Sequence, residues 1–271
     1  MTERGAHVRV SQAGGVLRFH LDKPAKRNAL DDDMVELLID AIDAAGREES
    51  VRAILLTAEG DHFCSGFDIV GRNAASRGDD HVKPRIGSIQ RRLPSQGHRL
   101  IPLLGTVQVP VVVAARGWVA GVGLHLAAAA DFLVLAENAT VWEPYAQRGF
   151  TPDTGGTWLL PRLVGVQRAR ELLLRGTRIT GAIAVEWGLG HVAVPASDVD
   201  SVAVALAEEL AAGPTVTLGL TKWMLQVAGE NTFDQQLRAE AFAMELSSRS
   251  EDFREGLAAF REKRTPGFSG R

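Results

Sequence analysis

Two short runs place glycine where a backbone can close on a reacting oxygen: Phe63-Cys64-Ser65-Gly66-Phe67-Asp68 and Gly117-Trp118-Val119-Ala120-Gly121-Val122-Gly123. Each follows a β-branched or apolar stretch, Ala53–Thr57 in the first case and Val109–Ala115 in the second. Glycine lets the chain turn sharply and approach a ligand closely. The second run leads into a predicted helix, whose first N–H groups have no partner and whose dipole favours negative charge. Two such turns aimed at one carbonyl oxygen would stabilise an enolate or a tetrahedral oxyanion. Losing one donor from such a site costs about 2.7–4 kcal/mol in the barrier. The same glycines also serve as plain turns between strand and helix.

Few side chains are placed to add chemistry. Asp153, in Pro152-Asp153-Thr154-Gly155-Gly156, stands just before a predicted helix. It reads as a helix cap or as an acid/base carboxylate. His125, in Leu124-His125-Leu126-Ala127, reads as a hydrogen-bonded core histidine or as a general acid/base. Cys64 has no evident paired base, which argues against a nucleophile. Glu143 precedes Pro144, so a bend and solvent exposure are expected there. No His/Cys cluster has metal-ligand spacing, and no tightly bound cofactor is expected. Gly121-Val122-Gly123 lacks the third glycine and the downstream carboxylate of a dinucleotide fingerprint.

The elements that position these residues follow from hydrophobic period. His7–Gln12 and Val16–Leu21 around Gly14-Gly15 predict a hairpin. Leu30, Met34, Leu37, Leu38, Ala41, Ile42 and Ala45 recur at helical spacing, with Asp31–Asp33 at the favourable end and Gly46 at the stop. Strands are predicted at 52–57, 109–115 and 132–136, with a helix over 122–130. A weaker helix over 86–104 is broken by Pro94 and Gly97. The polar stretch 69–84 predicts a loop. Strand, turn, helix and strand in repetition argue an α/β architecture with buried parallel strands. From Ser201 onward the pattern is helical: 202–212, 218–228, 233–247 and 250–263. This divides a core of residues 1–200 from a helical region of residues 201–271.

The chain has 271 residues, a formal net charge of −3 and one cysteine. That length allows one large domain, and the charge implies no general nucleic-acid surface. A single thiol forms no internal disulfide and fits a reducing cytoplasm. Residues 1–5 lack the pattern of a signal peptide, and Val109–Leu135 is too interrupted for a membrane span.

Taken in order, the motifs resemble a known family. Lys23-Pro24-Ala25-Lys26-Arg27-Asn28-Ala29-Leu30, 63–69, 117–123, Pro152–Gly156, Leu159-Leu160-Pro161-Arg162-Leu163-Val164-Gly165, 184–188 and Phe260-Arg261-Glu262-Lys263-Arg264 are similar to the crotonase superfamily of enoyl-CoA hydratases and isomerases. The resemblance spans essentially the whole chain. It implies a spiral of ββα units, a C-terminal helical region used in trimerisation, and hexamers built from paired trimers. It implies that the amides of Phe67 and Val122 form the oxyanion hole, with valine where relatives usually carry glycine.

By the same resemblance, His125 and Tyr145 fall where hydratases carry their two glutamates. Tyr145 is then a pocket wall, or a hydroxyl orienting the thioester or a water. Asp153 matches the carboxylate of similar enoyl-CoA isomerases, where one base removes the C2 proton and returns it at C4. Lys26, Arg27, Ser65, Asp68, Phe260 and Lys263 are the implied coenzyme A contacts, the last two reaching a neighbouring subunit's ligand. The segments 69–84 and 85–108 are expected to line the acyl pocket. Hydration, Asp153 as a nucleophile in hydrolysis or dehalogenation, and non-catalytic acyl-CoA binding are the competing readings.

Overall fold

The structure is a computed structural model that describes residues 7–69 and 85–271. The predicted loop thus lies, from residue 70 to 84, outside the described residues. Strands β1 (Val8–Ala13) and β2 (Val16–Leu21) pair antiparallel across Gly14-Gly15. Both glycines have positive φ, 57° and 81°, as a two-residue hairpin turn requires. From β2 the sheet continues in parallel through β3 (Ala53–Ala58), β4 (Val111–Ala115), β6 (Phe132–Ala136) and β9 (Val192–Val194), in the order β1-β2-β3-β4-β6-β9. Every residue of β3 and β4 is buried, which is why both read as unbroken apolar runs.

A second sheet, β5 (Trp118–Ala120), β7 (Thr140–Trp142) and β8 (Ile179–Thr180), stands beside the first. β5 follows β4 and β7 follows β6 directly in the chain, so the two sheets share one winding, and β8 pairs antiparallel with β7.

Helix α1 (Asp32–Ala45) begins one residue after the Asp31 cap, whose side chain accepts the Met34 N–H at 3.0 Å. The weak helix of 86–104 is two helices, α2 (Ser88–Arg92) and α3 (Gly97–Thr106), separated by a 3-10 turn at Leu93–Ser95. Pro94 and Gly97 mark that break, as expected of residues that interrupt the helical ladder. Helix α4 (Val122–Ala128) follows the second glycine turn and is buried along its whole length. A single turn, α5 (Tyr145–Arg148), and a long kinked helix, α6 (Gly156–Arg175), complete the site side. The kink falls at Gly165, where φ is 76°.

After α7 (Gly181–Glu186) come α8 (Val199–Ala212), α9 (Thr215–Ala228), α10 (Phe233–Ser247) and α11 (Glu251–Glu262). Helix α8 packs on β3, β4 and β6, with Ala203, Ala207 and Ala211 inside the main core. Helices α10 and α11 carry exposed apolar side chains, among them Phe233 at 77% and Phe260 at 84%. No single described helix is long and apolar enough to cross a membrane.

Candidate active site

The two glycine turns are stitched to each other. Cys64 and Val119 form an isolated parallel bridge: Cys64 N–H donates to the Trp118 carbonyl and Ala120 N–H to the Cys64 carbonyl, both at 3.0 Å. A Cβ on Gly123 would lie 2.6 Å from the Cys64 carbonyl oxygen, so only glycine allows this approach. Gly66 has φ 111°, a left-handed value that turns the chain into Phe67. The first turn is held in its turn by the 23–30 loop. Leu30 N–H donates to the Gly66 carbonyl at 2.9 Å, and Asp68 N–H to the Leu30 carbonyl at 2.8 Å. Val122 is the first residue of α4, so its N–H has no acceptor within the helix. Its side chain is 1% exposed and packs into the main core.

The 23–30 loop carries an ionic cluster. Lys23 Nζ lies 2.7 Å from Asp31 and 3.0 Å from Asp68, and Lys26 Nζ lies 2.9 Å from Asp68. Burial opposes the charge on Lys23, but hydrogen bonds to Asp31 and Asp68 outweigh it and raise the ammonium above its usual range. Beneath it, Asn28 is fully buried and its amide donates to the Glu59 and His62 carbonyls at 2.9 and 2.7 Å. Arg27 lies exposed over the Trp118 ring, and Ser65 N–H donates to the Arg27 carbonyl. Lys26, Arg27, Ser65 and Asp68 are therefore brought together at one edge of the turns. Phe260 and Lys263 stand instead on the outer end of α11, with Lys263 as its left-handed cap.

On the other side lies a buried polar chain. His125 Nε2 is 3.0 Å from Glu143 Oε1, and both side chains are wholly buried. His125 Nδ1 hydrogen-bonds Thr154 Oγ1. The His125 and Tyr145 rings stack 5.8 Å apart, and the Tyr145 hydroxyl donates to Asp153 Oδ1 at 3.2 Å. Asp153 is half-buried, and its carbonyl meets His98 Nε2 at 2.8 Å. Three predicted side chains, His125, Tyr145 and Asp153, thus converge. A Cβ on Gly156 would lie 2.1 Å from His125 Nε2, so the glycine after Gly155 makes room for the ring.

Glu143 is the correction here. It was expected in solvent beside Pro144, yet it is fully buried and points at His125. Burial raises its carboxyl above the usual range. The strand β7 ends at Trp142, and the Pro144 bend carries the chain over α4 rather than away from it. Thr154 and His98 had no signal of their own in the sequence. Burial pushes the Tyr145 hydroxyl up and the Cys64 thiol up to about 12, so neither ionises readily. For Cys64 this removes the nucleophile role.

Next to Thr154 and Gly155 opens a mainly apolar cavity of about 620 Å³ between α3 and α6, walled by Ile101, Pro102, Trp158 and Leu159. Its α3 wall comes from the 85–108 segment. Among the described residues no group of three His, Cys, Asp or Glu could hold a metal ion.

Stitched backbone turns, a half-buried carboxylate held by Tyr145 and a mainly apolar cavity are the features of a small-molecule enzyme site. Comparison with known proteins narrows that class. The family described as enoyl-CoA hydratase/isomerase matches residues 11–271. The 1,2-epoxyphenylacetyl-CoA isomerase of Escherichia coli (strain K12) is 36% identical over 257 residues, 95% of this chain and 96% of that protein. The 4-chlorobenzoyl coenzyme A dehalogenase-1 of Arthrobacter sp is 30% identical over 259 residues, 95% of this chain and 91% of that protein. The crystal structure of an enoyl-CoA hydratase from Bacillus anthracis superimposes with a TM-score of 0.89 at 29% identity, covering 98% of this chain and all of that one. The chain belongs to the enoyl-CoA hydratase/isomerase family of the crotonase superfamily, with the crotonase fold, and acts on acyl-CoA thioesters.

Proposed function

We propose that this enzyme moves a double bond within an enoyl-CoA, with Asp153 as the base. The thioester carbonyl accepts the amides of Phe67 and Val122, which makes the C2 proton acidic and carries the charge of the resulting enolate. Asp153 takes that proton, and a proton is delivered at C4. The observation that carries this reading is the convergence on Asp153: its carboxylate is half-buried and accepts the Tyr145 hydroxyl at 3.2 Å beside the apolar cavity. The cavity is then the acyl pocket. The Lys26, Arg27, Ser65 and Asp68 edge is the coenzyme A approach, with arginine or lysine pairing phosphate oxygens. The exposed apolar side chains of α10 and α11 become buried between subunits of a trimer, bringing Phe260 and Lys263 to a neighbour's ligand.

The test is a 3-enoyl-CoA followed for conjugation with the thioester. Asp153→Asn keeps the shape and removes the base, and its turnover is expected to fall by about a hundredfold or more. Equal turnover by wild type and Asp153→Asn would overturn the assignment. A second reading, with Asp153 as a nucleophile on an aryl thioester, is favoured by the dehalogenase relative. An acyl adduct trapped on Asp153 by rapid quench would select it.

A further inference from the structure

For the Phe67 N–H to hold a thioester oxygen, something must aim it. The Gly66–Phe67 peptide is trans, like every other described one. In a planar trans unit the carbonyl and the N–H point in opposite directions. The Gly66 carbonyl accepts Leu30 N–H at 2.9 Å. The Phe67 N–H of the same peptide is therefore turned away from the 23–30 loop. Gly66 does not enforce this by itself. It sits at φ 111° and has no Cβ, so the peptide after it can rotate at low cost. The Leu30 N–H selects one orientation.

Leu30 is in turn placed by Asn28. The Asn28 amide is fully buried and every polar atom of it is paired. Its Oδ1 accepts Lys23 N–H at 2.8 Å, and its Nδ2 donates to the Glu59 and His62 carbonyls at 2.9 and 2.7 Å. The flipped amide would set an oxygen against two carbonyls, so the orientation is fixed. Glu59 and His62 belong to the stretch between β3 and the first glycine turn. One side chain thus joins the loop to the chain that leads into the turn. Backbone bonds join them again further on: Ser65 N–H donates to the Arg27 carbonyl at 3.1 Å, and Asp68 N–H to the Leu30 carbonyl at 2.8 Å. Arg27 and Asn28 both have φ 52°, two successive non-glycine residues in the left-handed region. Such backbone persists only where its surroundings over-determine it, and it gathers at functional sites. Here the bonds of the Asn28 amide supply the constraint. What the strained turn delivers is the Arg27 carbonyl to Ser65 and the Leu30 N–H to Gly66.

We infer that Asn28 is a positioning residue for the oxyanion hole. Its buried amide holds the 27–30 turn so that Leu30 N–H fixes the Gly66–Phe67 peptide with the Phe67 N–H toward the thioester. This rests on the reading of Phe67 as one of two donors. Asn28 touches no substrate. Without its amide the turn relaxes, Leu30 N–H leaves the Gly66 carbonyl, and the glycine peptide is free to rotate its N–H away. The second donor is aimed differently. The Gly121 carbonyl accepts His125 N–H at 3.0 Å at the start of α4, which fixes the Gly121–Val122 peptide by the same rule. Loss of Asn28 therefore removes one donor and spares the other.

The test reads the carbonyl directly. Octanoyl-CoA with a heavy carbon isotope at the thioester carbonyl is bound to each protein, and its stretch is isolated by infrared difference against the unlabelled ester. Wild type is expected to lower that frequency on binding. Asn28→Ala and Asn28→Gly are expected to keep about half of the shift, because the Val122 donor remains. Glycine accepts φ 52° without strain, so this variant spares the fold and separates the anchor from the left-handed backbone. The dissociation constant of octanoyl-CoA should stay within about threefold. Turnover of a 3-enoyl-CoA should fall about a hundredfold. Leu17→Ala, a core truncation in β2, lowers stability without touching the loop and should keep the whole shift. A wild-type shift in either Asn28 variant overturns the inference, and so does an equal loss in Leu17→Ala. No shift in wild type overturns the oxyanion hole itself, a failure visible before any variant is compared. The band is read whether or not the 3-enoyl-CoA is converted.

Discussion

Two polar clusters flank the stitched turns, and they are built on opposite principles. The inner one, Glu143, His125 and Thr154, is fully buried and held by hydrogen bonds. The outer one, Lys23, Lys26, Asp31 and Asp68, is held by charge and reaches solvent chiefly through Lys26 and Asp31. Desolvation separates them. Burial drives the Glu143 carboxyl toward its neutral form, whereas hydrogen bonds from the Lys23 ammonium and the Met34 N–H hold the Asp31 carboxyl below its usual range. The inner cluster fixes the His125 ring, and the outer one fixes the 23–30 loop against the first turn.

Breaking the inner cluster should have the largest effect on stability. His125→Leu strands Glu143 and Thr154 without their partner and is expected to cost about 3 kcal/mol in urea unfolding. Adding Glu143→Leu should cost less than the sum of the two single changes, because the stranded carboxyl is gone. A fully additive pair would show that the two side chains do not interact.

Next comes Asn28, which ties the loop to buried carbonyls rather than to charge. Asn28→Ala leaves the Glu59 and His62 carbonyls unpaired, with an expected loss of about 2 kcal/mol that salt does not change. The outer ion pairs are worth less. Asp68→Asn should cost about 1 kcal/mol or under, and the difference from wild type should shrink as salt rises, since Lys26 is half exposed. A salt-independent loss there would show that the buried Lys23–Asp68 contact outweighs the exposed one to Lys26.

The smallest effect is in the pH dependence of stability, where the clusters should have opposite slopes. The folded Glu143 carboxyl is raised by burial, so its contribution is complete below the usual glutamate range and is lost as pH rises through the folded value. Burial works against the Asp31 charge, but hydrogen bonds from Lys23 and the Met34 N–H win and hold its carboxyl low. Its contribution is present above the usual aspartate range and is lost as pH falls through the folded value. Unfolding midpoints across pH for wild type, Glu143→Gln and Asp31→Asn check this. Each substitution should flatten one limb only.

Much of this arrangement was legible in the residues. The hairpin glycines, the helix begun at Asp31–Asp33, and the apolar runs 52–57 and 109–115 all follow from local rules, and the structure repeats them within two residues. The broken helix near Pro94 was legible for the same reason. His125, Tyr145 and Asp153 were singled out by their order among the family motifs, and they meet. Glu143 was misjudged because proline beside a charged residue usually marks a surface bend, and nothing within a few residues announces what packs above it. Thr154 was passed over because its partner on the inner side, His125, is 29 residues away in the chain.

The sequence by itself determined the turns and the family. Glycine at Gly66 and Gly123 is demanded by backbone angle and by a carbonyl that leaves no room for a Cβ, and such demands are written into residue type. Only the tertiary structure decided the fate of the Glu143 carboxyl. Whether a carboxyl is a solvated charge or a buried group held toward its neutral form depends on how much water its surroundings exclude, and that is set by segments distant in the chain.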